Sequence, residues 1–322
     1  MYSYSKTALA CAATSLALVL ASGCSRAEKP AAAPLSDISI PGTGIFPESL
    51  TSSADGTVYV GSVGQAQIYR VPPGGSVAAP FIAPGTGGIN QVFGVFADDS
   101  TGTLWACSNV VGTGPPGGPV GPSALHAFDL KTGAARTSYA LPAGSFCNDV
   151  AVAANGDLYV SDTTANQVLR LPKGGEALQV WSPGGAFGEG AGVDGVAVLD
   201  GRVCVGTLST SKLFAVQIRD DGSAGAVSEL RLSAPVVGPD GIRSWQGGLL
   251  STDSTGKIQH IVITGDAATV TTVKDGLEGV VAVTAVGNNA YALEGQLGIM
   301  MAAPGTTPPA EKPYRAVLFA LP

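Results

Sequence analysis

Four oxygen-bearing residues, Glu48, Asn148, Asp194 and Asp240, each stand at the head of a short apolar stretch. Brought to one point, they would form a donor set of three carboxylates and one amide, with no His or Cys needed. Hard oxygen donors of this kind suit Ca2+ best, with Mg2+ or Mn2+ as weaker matches. Without a cation, gathered carboxylates repel one another and raise one another's pKa. A divalent ion removes that cost and keeps positions open for water or a substrate oxygen. Asp149, directly after Asn148, adds a further carboxylate beside the set.

The elements that must position these residues form a repeat. "NDVAVAANGDLYVSD" (Asn148–Asp162) reads as two antiparallel strands joined at Asn155-Gly156, a hairpin turn in which the turn residues supply positive φ. "ESLTSSADGTVYVGS" from Glu48 matches it position for position, with Asp55-Gly56 at the turn. "FGVFADDSTGTLWACS" from Phe93 is one residue longer at the turn, and "DGVAVLDGRVCVGT" from Asp194 is one residue shorter. "DGIRSWQGGLLSTD" starts at Asp240, and a looser copy, "EGVVAVTAVGNNAYALE", starts at Glu278. A third strand follows in most copies, as in "QIYRVP" (Gln67–Pro72) and "AVLFALP" (Ala316–Pro322). A weaker fourth can be placed in most, as in "LQVWSP" (Leu178–Pro183).

Six copies of about one four-stranded unit predict an all-β fold, a six-bladed β-propeller over residues 36–322. The alternative arrangement is an open β array or sandwich. The last copy ends at its third strand. "DISIPG" (Asp37–Gly42), ahead of the first copy, is placed to supply the missing outer strand, closing the ring and removing an open edge. In a propeller the first strand of each blade lines the central channel. The residues at its mouth are then Glu48, Phe93, Asn148, Asp194, Asp240 and, in the looser copy, Glu278. Phe93, Phe146 and the blade 2 insertion "NVVGTGPPGGPVGPSA" (Asn109–Ala124) are expected to shape a rather apolar substrate pocket. Arg243 and Trp245 lie along the fifth inner strand, either lining the channel or packing. His126 and His260 fall on third strands and read as structural, and Asp162 and Asp253 read as ordering the turns after them.

The blade pattern and the order Glu48, Asn148, Asp194, Asp240 resemble the SMP-30/gluconolactonase/LRE family of six-bladed propellers, over nearly all of residues 36–322. The resemblance implies one divalent ion held by those four residues and hydrolysis of a lactone or related ester. It also implies that Asp149 faces the substrate and can serve as general base; the competing reading has Asp149 capping its strand or bonding a neighbouring loop amide. Two departures stand out. Asp194 occupies a place where the family usually has Asn, and Phe146 stands where sugar-lactone members have Arg, which argues against a polyhydroxy sugar lactone. The rival to an enzyme is a non-catalytic binding module with a structural metal ion, since this fold hosts many functions.

The first residues read as an export signal. Lys6 precedes the apolar run "ALACAATSLALVLA", and "ASGC" (Ala21–Cys24) resembles a bacterial lipobox. Residues 1–23 are expected to be cleaved, Cys24 to be lipidated and residues 24–35 to act as a tether. The mature protein is then exported and lipid-anchored, on the periplasmic side of an outer membrane if the cell has one, and it touches the membrane only through the lipid. Losing residues 1–23 removes Lys6 and no acid, taking the net charge from −7 to −8. An acidic chain without a basic run is not expected to bind nucleic acid. It is expected to work as a monomer on a small molecule. Three cysteines remain in the globular part. Cys107 and Cys147 fall near one another on adjacent blades and are expected to form a disulfide, with Cys204 buried and free.

Overall fold

A computed structural model describes residues 1–3, 5, 35–112, 119–303 and 305–322. Cys24, most of the expected signal and tether, and the middle of the blade 2 insertion lie outside these residues. The globular unit is residues 34–322, and it is built of six antiparallel sheets.

Each sheet is one copy of the repeat. Blade 1 runs Pro47–Ser52, Val58–Ser62, Gln67–Val71, Ala79–Ile82. Blade 2 runs Gln91–Asp98, Thr103–Val111, Pro119–Asp129, Ala135–Ala140. Blade 3 runs Cys147–Val152, Leu158–Asp162, Gln167–Leu171, Gln179–Ser182. Blade 4 runs Val193–Leu199, Arg202–Thr207, Lys212–Ile218, Ala224–Glu229. Blade 5 runs Ile242–Trp245, Gly248–Asp253, Lys257–Thr264, Ala267–Lys274, with Arg231–Leu232 added in parallel at its outer edge. Blade 6 runs Val280–Val286, Asn289–Glu294, Tyr314–Ala320 and takes Ile38–Ile40, from the other end of the globular unit, as its outer strand. The inner strands pack on one another in the order 1, 2, 3, 4, 5, 6 and back to 1. The fold is a six-bladed β-propeller.

The core lies between the blades. Ile38, Ile40, Leu50, Val58, Tyr69, Tyr291, Leu293 and Tyr314 form one cluster joining blades 6 and 1. Similar clusters fill the other seams, such as Trp105, Cys107, Leu125, Cys147, Val150 and Val160 between blades 2 and 3. Every second residue of a strand faces a neighbouring blade, so both sheet faces are apolar and few positions are left for charge. At the blade 3 hairpin only Gly156 takes positive φ, at 90°. Asn155 instead accepts the Asp157 N–H through its side-chain oxygen. The disulfide Cys107–Cys147 is present, with Cα atoms 5.1 Å apart. Cys204 is free and buried, and burial pushes its thiol up to about 12. Among the described residues no helix is long and apolar enough to cross a membrane.

Candidate functional site

The mouth residues owe their direction to a shared irregularity. In five of the six inner strands the antiparallel register shifts at the mouth: between Pro47 and Ser49, Val92 and Val95, Cys147 and Val150, Val193 and Val196, and Val280 and Ala282. These are β-bulges, which bend a strand and re-aim its side chains. Glu48, Asn148, Asp149 and Asp194 all sit inside one. Without the bulge, strict alternation would send Asn148 and Asp149 to opposite faces. With it, both reach the channel. Asp240 lies two residues ahead of its strand and donates its N–H to Thr252 Oγ1 at 3.2 Å.

The residue after the mouth residue is constrained in its own way. In blades 2 and 4 it is Gly94 and Gly195, where a Cβ would collide with the Asn148 and Asp240 carbonyl oxygens of the next blade. In blade 1 it is Ser49, whose Oγ accepts the Val95 N–H of blade 2 at 3.1 Å. In blade 3 it is Asp149, whose Oδ2 accepts the Val196 N–H of blade 4 at 3.2 Å.

Glu48, Asn148, Asp149, Asp194 and Asp240 line one small pocket with Ser49, Gly94, Gly241, Val281 and Ala282, around a narrow gap. The four expected ligands and the expected base are thus brought together. Asn148 donates to Thr163 Oγ1 at 3.1 Å, and Thr163 donates onward to the Val193 carbonyl at 2.7 Å, tying the blade 3 mouth to blade 4. Asp162 accepts the Phe146 and Ala165 N–H groups, and Asp253 accepts those of Val237 and Thr255, so both order loops as expected.

The electrostatics are those of carboxyls crowded without a counter-ion. Burial, then the charges of Asp194 and Asp149, push the Glu48 carboxyl well above the usual carboxylate range, while Arg243 pulls it back. Burial and the Asp149 charge push Asp194 up to about 7, offset in part by the nearby Asn148 and Asp240 side chains. Asp240 is raised by burial and by Asp194, Glu48 and Asp149. Asp194 Oδ1 is buried with no hydrogen-bond partner. An orphaned oxygen among hard donors fits a divalent cation by type and charge. The carboxylates are nonetheless spread around the pocket: among the described residues no three His, Cys, Asp or Glu side chains form a metal-ligating group.

Three expectations are refined here. Glu278 is not part of the mouth. Its side chain is 66% exposed and pairs with Lys312, and blade 6 lines the pocket with Val281 and Ala282 instead. Phe93 and Phe146 pack edge to face, with ring centroids 4.6 Å apart, beside the pocket-lining residues and outside the lining itself. Arg243, left between lining and packing by its position, reaches across the channel. Its Nη1 donates to Asp149 Oδ2 at 2.7 Å and to the Ile242 carbonyl at 2.8 Å. Its Nη2 donates to Asp149 Oδ1 at 3.2 Å, the Val95 carbonyl at 3.1 Å and Ser49 Oγ at 3.4 Å. The one sequence signal for this was a lone cation on an otherwise apolar inner strand. Trp245 packs edge to face on His260 at 4.9 Å, and His126 is buried beside Phe128, so neither histidine lines the pocket.

No family model and no curated protein sequence matches this chain. Solved structures do. The chain is similar to a gluconolactonase from Xanthomonas campestris, at 17% identity and TM-score 0.62, over 87% of each chain. It is similar to a luciferin-regenerating enzyme, at 12% identity and TM-score 0.62, over 89% of this chain and 93% of that one. It is also similar to virginiamycin B lyase from Staphylococcus aureus, at 14% identity and TM-score 0.57, over 89% and 99%. At these identities the likeness shows the fold alone, and that fold is the β-propeller.

Proposed function

We propose that this protein is a divalent-metal-dependent hydrolase of a lactone or related ester. The observation that carries the reading is the pocket itself. Glu48, Asn148, Asp194 and Asp240, from blades 1, 3, 4 and 5, line a single gap, and one buried carboxylate oxygen there has no partner. The gluconolactonase and luciferin-regenerating enzyme among the similar structures agree with a hydrolase on this scaffold.

Those four residues would hold the ion, with Ca2+ the best match. When bound, the ion would supply Lewis acidity at an ester carbonyl and stabilise negative charge on its oxygen. The chain's own work is to bind, to orient and to move a proton. A water molecule adds to the carbonyl carbon, its proton passes to a pocket carboxylate, and that proton later goes to the departing alkoxide. Both oxygens of Asp149 are already engaged by Arg243, so the acceptor would be a pocket carboxylate oxygen that the ion leaves free. With Phe rather than Arg at position 146, nothing there supplies a cation for sugar hydroxyls, which favours an apolar acyl or alcohol group over a sugar.

The test is calorimetry of residues 25–322 with Ca2+, Mg2+ and Mn2+, together with a screen of aliphatic lactones and aryl esters with and without EDTA. Binding in the micromolar range or tighter and EDTA-sensitive turnover are expected. No binding of any of the three ions sinks the reading, and binding without turnover favours the non-catalytic module. We extend the proposal to an exported, lipid-anchored protein, on the strength of "ASGC" at Ala21–Cys24. Cys24→Ser should leave the membrane fraction or remain unprocessed; a processed, membrane-bound variant overturns it.

A further inference from the structure

We infer that Asp149 and Arg243 form a positioning hub that holds the inner strands of blades 1 to 5 around the pocket, and that Asp149 is not the proton acceptor. The inference deepens the hydrolase reading above and rests on it only for its effect on turnover.

The hub is visible in the partners of two side chains. Arg243 belongs to blade 5 and donates to Asp149 of blade 3, the Val95 carbonyl of blade 2 and Ser49 of blade 1. Asp149 in turn accepts the Val196 N–H of blade 4. Five inner strands are therefore tied through one guanidinium and one carboxylate, both buried. The planar fork of Arg can serve several acceptors at fixed angles, which an ammonium cannot do.

The repeat shows what Asp149 is for. Ser49 holds the equivalent position in blade 1, and its hydroxyl accepts the N–H of Val95. Val95 is the equivalent in blade 2 of Val196 in blade 4. The same stitch between consecutive blades is thus made twice, once by a hydroxyl and once by a carboxylate. The carboxylate adds the link to Arg243, which also reaches the first stitch through Ser49. Oδ2 of Asp149 accepts from Arg243 and Val196, and Oδ1 accepts from Arg243. A general base must offer a free lone pair to the attacking water. Asp149 spends three of its roughly four lone-pair sites on holding strands, while Glu48 and Asn148 sit in the bulges beside the two stitches and are aimed by them.

Arg243→Lys and Asp149→Asn test this. Lys keeps the charge and loses the fork; Asn keeps the shape and loses the charge. With positioning, each weakens Ca2+ binding ~10–100-fold, the range seen when residues supporting metal ligands are removed, and kcat falls together with affinity, well below each variant's melting temperature. Wild-type Ca2+ affinity in Arg243→Lys overturns the positioning role. If Asp149 is the base, Asp149→Asn keeps Ca2+ affinity and loses ~10²–10⁴-fold in kcat, which overturns the second half of the inference. Should the wild type bind no ion and hydrolyse no ester, the hydrolase reading falls separately. Melting of the metal-free double variant against the two singles then decides the hub: non-additive shifts support it, and additive shifts remove it.

Discussion

Asp194 carries a measurable consequence as a single residue. Burial and then the Asp149 charge raise its carboxyl from an ordinary 3.8 to about 7. An acid whose pKa rises on folding holds its proton longer in the native chain than in the unfolded one. Its stabilising contribution is complete below the unfolded value and is lost as pH rises through about 7. Glu48 and Asp240 are shifted in the same direction. His126 and His260, lowered by burial, act in the opposite sense, because their contribution is lost as pH falls. Comparing the wild type with Asp194→Asn cancels the histidines. In EDTA the variant should out-melt the wild type at pH 8 and lose that advantage at pH 5. One pKa unit is worth about 1.4 kcal/mol, so the difference is on the order of a few kcal/mol. Added Ca2+ should reverse the ranking at pH 8, because the variant has lost a charged ligand. Scanning calorimetry at the two pH values checks both signs, and a pH-independent gap in EDTA would falsify the assignment.

At the scale of elements, the blade 2–3 seam is the one that aims the site. Cys147 opens the strand that carries Asn148 and Asp149, and it is clamped twice. The disulfide ties it to Cys107, and the Asn109 side chain accepts its N–H at 2.9 Å and donates to its carbonyl at 2.8 Å. The two clamps should separate experimentally. The Cys107→Ala, Cys147→Ala double variant is expected to lose about 2–4 kcal/mol of stability, the usual worth of a loop-closing disulfide. Its Ca2+ affinity should change little, because Asn109 still holds the strand end. Asn109→Ala leaves a buried N–H and carbonyl unpaired, a cost of about 1–3 kcal/mol for each such group, and should weaken Ca2+ binding as well. Urea melts and calorimetry on both proteins check this; equal losses of affinity would show that the amide has no separate role. The bulge in this strand was not legible in the sequence. It is a mismatch between two paired strands, and "CNDVAV" alone has no way to display it. Arg243 was legible only as an oddity, since its reach to Asp149 depends on where four other blades put their backbones. The strands themselves were legible because most blades repeat the same alternation around a Gly-containing turn. The added Arg231–Leu232 strand was not, being too short to show a period.

For the whole molecule, six copies of one pattern predicted six sheets, and the mouth residues followed from where each copy begins. Glu278 went astray because blade 6 is the loosest copy. The circle also had to be completed, and the strand that does so is small. Ile38–Ile40 pairs with Tyr314–Ala316 of blade 6, while Ser39 exchanges backbone hydrogen bonds with Ser76 and Ala78 of blade 1, both at 2.9 Å. Ile38 and Ile40 are each 1% exposed and sit in the cluster joining blades 6 and 1. Removing this strand would bare the edge at Tyr314–Ala320 and open the seam that it bridges as it runs on into Pro47 of blade 1, inviting edge-to-edge association. A protein of residues 35–322 should therefore unfold in one cooperative transition, because the globular unit begins at residue 34. A protein of residues 41–322 should melt lower and less cooperatively and should associate. Ile38→Ala and Ile40→Ala grade the same effect, at about 2–5 kcal/mol each. Since Glu48 lies in the first strand after the closure and shares its pocket with the proposed ligands of blades 3, 4 and 5, the shorter protein should also bind Ca2+ more weakly. Urea melts, light scattering and calorimetry on the two lengths test the chain of reasoning. Identical midpoints for 35–322 and 41–322 would show that the ring stands without its closing strand.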